Sequence, residues 1–213
     1  PQRRLYYFPP AAKGRPGQVI TYPISIAREG WSTPLGQTRI VAKYKNPSWF
    51  LPKSIKAEHF LDEGVELPEY FPPGPDNPMG MLALRTGFPG IYIHATNRPW
   101  GVGMRTSHGC IHLYPEDAAE IFPQMQVGTP VRVINDAELQ GYGVIGGKGV
   151  EMVLTLGTGL GAALYVDGRL VPNPIHRDTN RHRQIFGLSG HLKIPPRMAW
   201  VDLGEPRSVS QRM

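Results

Sequence analysis

Over the first two thirds of the chain, apolar and polar residues alternate with a period of two in short runs bounded by glycine or proline. Such runs bury one face of a pleated strand. RLYYF (4–8), QVITYPISI (18–26), TRIVAKYK (38–45), MLALRT (81–86), IYIHAT (91–96), CIHLY (110–114) and TPVRVI (129–134) are therefore predicted strands, all rich in Val, Ile, Tyr or Thr. One segment, Pro115 to about Met125, has helical spacing. Proline suits its first turn, Glu116 and Asp117 complement the positive end of the dipole, and Ala118, Ala119, Ile121 and Phe122 supply an apolar face. Two stiff proline-rich loops, KNPSWFLPKS (45–54) and ELPEYFPPGPDNPMG (66–80), carry Trp49, Phe50, Tyr70 and Phe71. These aromatics suit the wall of a cleft and the cover of a sheet edge equally well.

Near residue 140 the pattern changes. GYGVIGGKGVEMVLTLGTGLG is glycine-dense, ALYVDGRLVP predicts a hairpin about an Asp-Gly turn, and Asn173–Met213 is polar, basic and weakly patterned. The predicted organisation is one domain over 1–138 and a glycine-rich hairpin with a basic tail over 139–213. The predicted class is mostly β, with a short helix after the CIHLY strand and a small C-terminal hairpin and coil extension.

Composition agrees with that class: 23 prolines and 25 glycines in 213 residues favour short strands and many turns. No run of about 18 apolar residues occurs, so no membrane-spanning helix is expected. PQRRLYYFPP at the start lacks an apolar core and a first Met, which puts any export signal outside these residues. The net charge of +6 is spread thinly. Residues 1–139 carry 14 basic and 12 acidic side chains, and the remainder 9 and 5. The only basic cluster is the loose RDTNRHR at 177–183, so a nucleic-acid partner is not expected.

The chemistry concentrates in IHATNRPWGVGMRTSHGCIHLY (93–114), which holds the single cysteine, Cys110, and three of the seven histidines. One cysteine forms no internal disulfide, so its thiol is buried filler, a metal ligand or a nucleophile. In a continuous strand His108, Cys110 and His112 would share a face, and a neighbouring strand would bring His94 within hydrogen-bond reach. A histidine held close can take the thiol proton, leaving imidazolium beside thiolate. Gly109 lets a carbonyl approach, and backbone N–H groups around 108–110 offer an oxyanion site. His94, His108, Cys110 and His112 also supply four zinc-type ligands, although not at the usual spacing of structural sites. A solvated His112 on an exposed strand face is a further reading.

The order His94-Ala-Thr-Asn, Gly103, Ser107-His-Gly-Cys-Ile-His-Leu113 resembles the signature of the YkuD family, the L,D-transpeptidase catalytic domain. The resemblance extends through REGWSTPLG (28–36), KYKNPSW (43–49), PPGPDNPMG (72–80) and VGTPVRVIND (127–136), about residues 4–138, and is nearest to a periplasmic Gram-negative subgroup. It implies a β-sandwich and a periplasmic or cell-wall location. It also implies a two-step acyl transfer on peptidoglycan stem peptides, with no cofactor. Cys110 becomes the nucleophile and His94 the base, the backbone carbonyl of residue 95 helps orient a histidine of the site, and His108 joins them there. Ser107 and Gly109 shape the oxyanion pocket, and Asn97, Trp100 and His112 meet substrate. The implied acyl acceptors are a second stem, a lipoprotein lysine or water, the last giving carboxypeptidase activity.

Two positions depart from the family pattern: Ala95 stands for a usual Gly, and His112 for a usual Arg. They motivate a different reading, a catalytically impaired module that binds cell wall. A titratable His112 serving substrate also predicts efficiency falling above about pH 6–7. Separately, MVLTLGTGLGAALYVDGRLVPN (152–173) resembles a strand–Gly-loop–strand of ROK-type polyphosphate glucokinases. Neither that family's catalytic Asp nor its zinc motif is recognisable here.

Overall fold

A computed structural model describes residues 3–10, 17–156, 160–171 and 198–202. Two compact units divide the chain. One takes in Gln2–Val133 and Pro196–Val201, the other Pro1, Ile134–Pro195 and Asp202–Met213. Among the described residues no helix is long and apolar enough to cross a membrane.

The larger unit begins with β1 (Arg4–Phe8), β2 (Ile20–Pro23), β3 (Ile26–Ala27), β4 (Gly36–Lys45) and β5 (Trp49–Phe50). Helix α1 (Lys53–Glu63) follows, then β6 (Tyr70–Phe71), β7 (Leu82–Thr86), β8 (Tyr92–Ala95), β9 (Arg105–Ser107) and β10 (Ile111–Leu113). After β10 come α2 (Pro115–Ile121) and β11 (Pro130–Ile134). The smaller unit holds α3 (Asp136–Val144), β12 (Val150–Leu156), β13 (Leu160–Val166) and β14 (Arg169–Val171). A last strand, β15 (Met198–Asp202), returns to pair with β1.

Eight strands form a sheet in the order β10-β8-β7-β4-β11-β15-β1-β2. Its joint is the ten-residue β4, whose first part pairs with β11 and whose last part pairs with β7. The register shifts between Ile40 and Ala42, and such a bulge bends a strand and increases its twist. The sheet curls until its ends meet. Ser25, just past β2, and His112 of β10 exchange two N–H···O bonds of 3.0 and 3.1 Å. The core takes in Leu5, Tyr7, Ile24, Ile40, Ile93, Ile111 and Leu113, all buried. Each contributes about 1.5–3 kcal/mol, so a one-residue slip that turned them outward is strongly disfavoured. Helix α2 packs on β7 and β8 through buried Ala118 and Ile121. It stops short of the expected Met125 because Pro123 has no N–H to continue the ladder. This is the mostly β fold with a helix directly after the CIHLY strand that the pattern predicts, and the sandwich that the resemblance implies.

Two helices are not legible in the apolar pattern. In α1, Ile55 is buried while Phe60 and Leu61 are exposed, so no single apolar face marks it. In α3, the glycines disguise a helix capped by Asn135, whose side chain accepts the Glu138 N–H at 2.8 Å. Gly141 is required there. A Cβ would lie 2.2 Å from the Tyr165 hydroxyl, and buried Tyr165 bonds the Glu138 carbonyl from that position. The predicted Asp-Gly hairpin joins β13 to β14, with φ of 48° at Asp167 and 75° at Gly168. The two units divide at Ile134, where α3 follows β11 directly. Of the kinase-like segment, the loop 157–159 and residues 172–173 lie outside the described residues, as does the basic cluster at 177–183.

Candidate active site

Strands β8 and β10 are parallel neighbours, with His94 opposite His112 and Ile93 opposite Ile111. Alternation therefore turns Tyr92, His94, Cys110 and His112 to one face, while Ile93, Ile111 and Leu113 go into the core. That face opens on a cleft of about 1050 Å³. Trp49 and Phe71, stacked 5.8 Å apart, line it from the β5–β6 ribbon. Phe50 and Tyr70, next to them on the same two strands, are exposed. The aromatic loops thus supply part of the cleft wall, the first of the roles open to them.

His94 is buried, and its Nδ1 is bonded to the carbonyl of Ala95. Its ring lies 4.5 Å from that of His112. Burial lowers its pKa from 6.5 to about 4, against the opposing pull of the Ala95 and Met79 carbonyls. With the proton on Nδ1, Nε2 keeps its lone pair. Cys110 is partly exposed, and its Sγ lies 3.6 Å from the Gly90 carbonyl. Burial raises this thiol to about 11, partly offset by the Tyr92 backbone. The resting pair is therefore neutral thiol and neutral imidazole, not the ion pair expected from the residue types alone.

His112 also differs from expectation. Burial, and then the neighbouring His94 and His108, hold it well below 6.5, so it is uncharged at neutral pH. An alkaline loss of charge at this position has no group to produce it. We expect kcat/KM to stay flat from about pH 6 to 8, and His112→Arg to leave that range no wider; a pH–rate series on both forms checks this.

His108 does not share a strand with Cys110, because the chain breaks at Gly109, where φ is 127°. A Cβ there would meet Ile91 Cδ1 at 3.0 Å and the Ser32 carbonyl at 3.1 Å. Ser107 Oγ donates to the Cys110 carbonyl at 2.5 Å and accepts the Gly109 N–H at 3.1 Å. Thr33 Oγ1 donates to the Gly109 carbonyl at 2.8 Å. The Gly109 N–H is thus engaged within the turn. His108 leaves that turn toward a polar cluster absent from the sequence reading. Its Nε2 lies 2.9 Å from Arg28 Nη2 and 3.2 Å from Glu58 Oε2, and Trp31 packs edge-on at 4.8 Å. Asn97 donates to the Asp76 carbonyl at 3.0 Å, and Trp100 is exposed; both border the cleft. Among the described residues no three His, Cys, Asp or Glu side chains are arranged to hold a metal ion.

Ala95 has a structural counterpart. Gly80, at φ 63°, lies so close that its Cβ would stand 2.8 Å from Ala95 Cβ and 2.9 Å from its carbonyl carbon. Asn77 pins this loop, donating to the Pro47 and Pro72 carbonyls at 2.8 and 3.0 Å and accepting the Met79 N–H at 2.9 Å. Gly80→Ala is expected to cost about 1–3 kcal/mol by overpacking and to lower turnover by displacing the Ala95 carbonyl from His94. Thermal melts and an activity assay on the same preparation check both. REGW and PDNPMG, blocks already noted for the resemblance, contain Arg28, Trp31, Asn77 and Gly80; nothing in the sequence marked Glu58.

A profile of the YkuD family, the L,D-transpeptidase catalytic domain, matches residues 1–133. The chain is 41% identical over 136 residues to the probable L,D-transpeptidase YcfS of Escherichia coli K12, covering 62% of this chain and 41% of that protein. It is 41% identical over 137 residues to the probable L,D-transpeptidase YbiS of the same strain, covering 63% and 42%. The chain thus spans about two fifths of the length of these relatives. Among solved structures, an L,D-transpeptidase from Mycobacterium smegmatis aligns with a TM-score of 0.41 at 27% identity, covering 55% of this chain and 50% of that one. With its sequence matched over more than half its length, the chain belongs to the YkuD family of L,D-transpeptidase catalytic domains.

Proposed function

We propose that this chain is a cysteine L,D-transpeptidase acting on the tetrapeptide stems of peptidoglycan in the periplasm or cell wall. The observation that carries the reading is His94: its Nδ1 is tied to the Ala95 carbonyl, its Nε2 is left as the nitrogen that can accept a proton, and its strand lies in register beside the one that Cys110 immediately precedes. His94 takes the thiol proton as Cys110 Sγ attacks the carbonyl of the third, L-configured residue. The S–C bond forms, the C–N bond to D-Ala breaks, and the proton goes out on the D-Ala amine. An amine of a second stem, or of a lipoprotein lysine, then displaces the sulfur and restores the thiol; water in its place gives carboxypeptidase activity. With both groups neutral at rest, the proton passes from Cys110 to His94 during the attack rather than before it. Ser107 and Gly109 hold the turn that presents Cys110, and Asn97, Trp100 and His112 are proposed to contact the stem. Incubation with disaccharide tetrapeptide tests the reading: D-Ala release supports it, whereas binding without release would make the chain a cell-wall-binding module.

A further inference from the structure

Where the proton of His108 sits is decided by residues far from it in sequence. Arginine only donates hydrogen bonds. Arg28 Nη2 carries two hydrogens and lies 2.7 Å from Glu58 Oε2 and 2.9 Å from His108 Nε2. Glu58 Oε2, 3.2 Å from Nε2, already accepts from Arg28 and Trp31, and the hydrogen bond that Nε2 makes is with the guanidinium, so Nε2 accepts and the neutral ring keeps its proton on Nδ1. Glu58 holds the arrangement together. The same oxygen that binds Arg28 accepts the indole N–H of Trp31 at 2.8 Å, and Trp31 in turn packs edge-on against His108. Arg28 is also fixed from its backbone, its N–H donating to the Ser107 carbonyl at 2.8 Å.

The titratable and charged groups around His108 are Arg28 on the segment after β3, Glu58 and His59 on α1, and His112 on β10. Burial, then Arg28, lower its pKa, with Glu58 opposing. Glu58 itself is pulled below its ordinary value: hydrogen bonds from Trp31 and Arg28 outweigh the effect of burial.

We propose that Glu58 is a positioning residue for the cysteine turn: through Arg28 and Trp31 it locks His108 in the Nδ1–H form beside Gly109 and Cys110. His108 lines the cleft onto which Cys110 opens, and the lock leaves its ring with a fixed N–H there. Such a preorganised donor stabilises negative charge developing during attack. The effect on turnover rests on the transpeptidase reading; the tautomer does not.

The test is long-range 1H–15N correlation of the histidine rings in the full chain at pH 7, with His108 assigned by loss of its signals in His108→Gln. The wild type should show His108 protonated on Nδ1 only. Glu58→Gln should move it to a mixed or Nε2–H form and lower kcat for D-Ala release about 10- to 100-fold with KM little changed. Glu58→Asp should recover part of both. A wild-type His108 protonated on Nε2, or a tautomer indifferent to Glu58→Gln in a variant that melts normally, would overturn the proposal. Absence of D-Ala release in the wild type, with the tautomer as stated, would count against the transpeptidase reading instead.

Discussion

Cys110→Ala is expected to remove D-Ala release, by on the order of 10⁴-fold or more, while leaving the fold in place. The sequence holds no second thiol to take over. The side chain is partly exposed and its Sγ reaches backbone groups at Gly90 and Tyr92, so its truncation opens no core cavity. The turn around it is held by others, through Ser107 Oγ, Thr33 Oγ1 and the left-handed Gly109. Activity measured on disaccharide tetrapeptide, with circular dichroism on the same sample, checks both halves. More than a few per cent of residual release would exclude Cys110 as the nucleophile. Intact mass after exposure to a carbapenem should likewise show one adduct on the wild type and none on the variant.

His94→Gln should lower kcat/KM by about 10²–10⁴-fold, the range for losing a positioned base, and His108→Gln should cost less. The same substitution should change how stability depends on pH. Burial holds His94 near 4 in the folded chain, against 6.5 when exposed. Between those values the unfolded chain binds a proton that the folded chain refuses. The contribution is therefore present above about pH 6.5 and lost as pH falls toward 4, amounting to about 3 kcal/mol at full extent. Glutamine does not titrate. Its stability should fall less steeply over that window than the wild type's, although His108 and His112, also lowered, continue to titrate there. Urea unfolding at pH 7 and pH 4.5 on both proteins measures the difference. Equal slopes would mean that His94 is not held neutral by burial.

What could be read without coordinates was whatever depends on near neighbours. β1 spans the predicted 4–8, and β7, β8 and β10 fall within one residue of their predicted ends, because period-two alternation is a local property. QVITYPISI split into β2 and β3, with Ser25 left to bridge His112, since the pattern cannot show which residue pairs with which strand. The family signature singled out Cys110 and His94 as candidates, and the parallel pairing of their neighbouring segments turns both to one cleft. Expectations about charge fared differently. Residue type suggested a titratable His112 and a thiolate beside imidazolium, but the low dielectric of the folded face keeps the neutral forms.

The sequence by itself therefore determined the mostly β class, the helix after the CIHLY strand, and membership in the YkuD family. Each of these lies in residues close along the chain. Only the tertiary structure decided that His108 belongs to a cluster with Arg28, Trp31 and Glu58, and that Gly80 makes room for Ala95. Arg28 and His108 are 80 positions apart. Their contact exists because β3 and β9 run side by side and α1 sets Glu58 against both residues, and no local pattern encodes that placement.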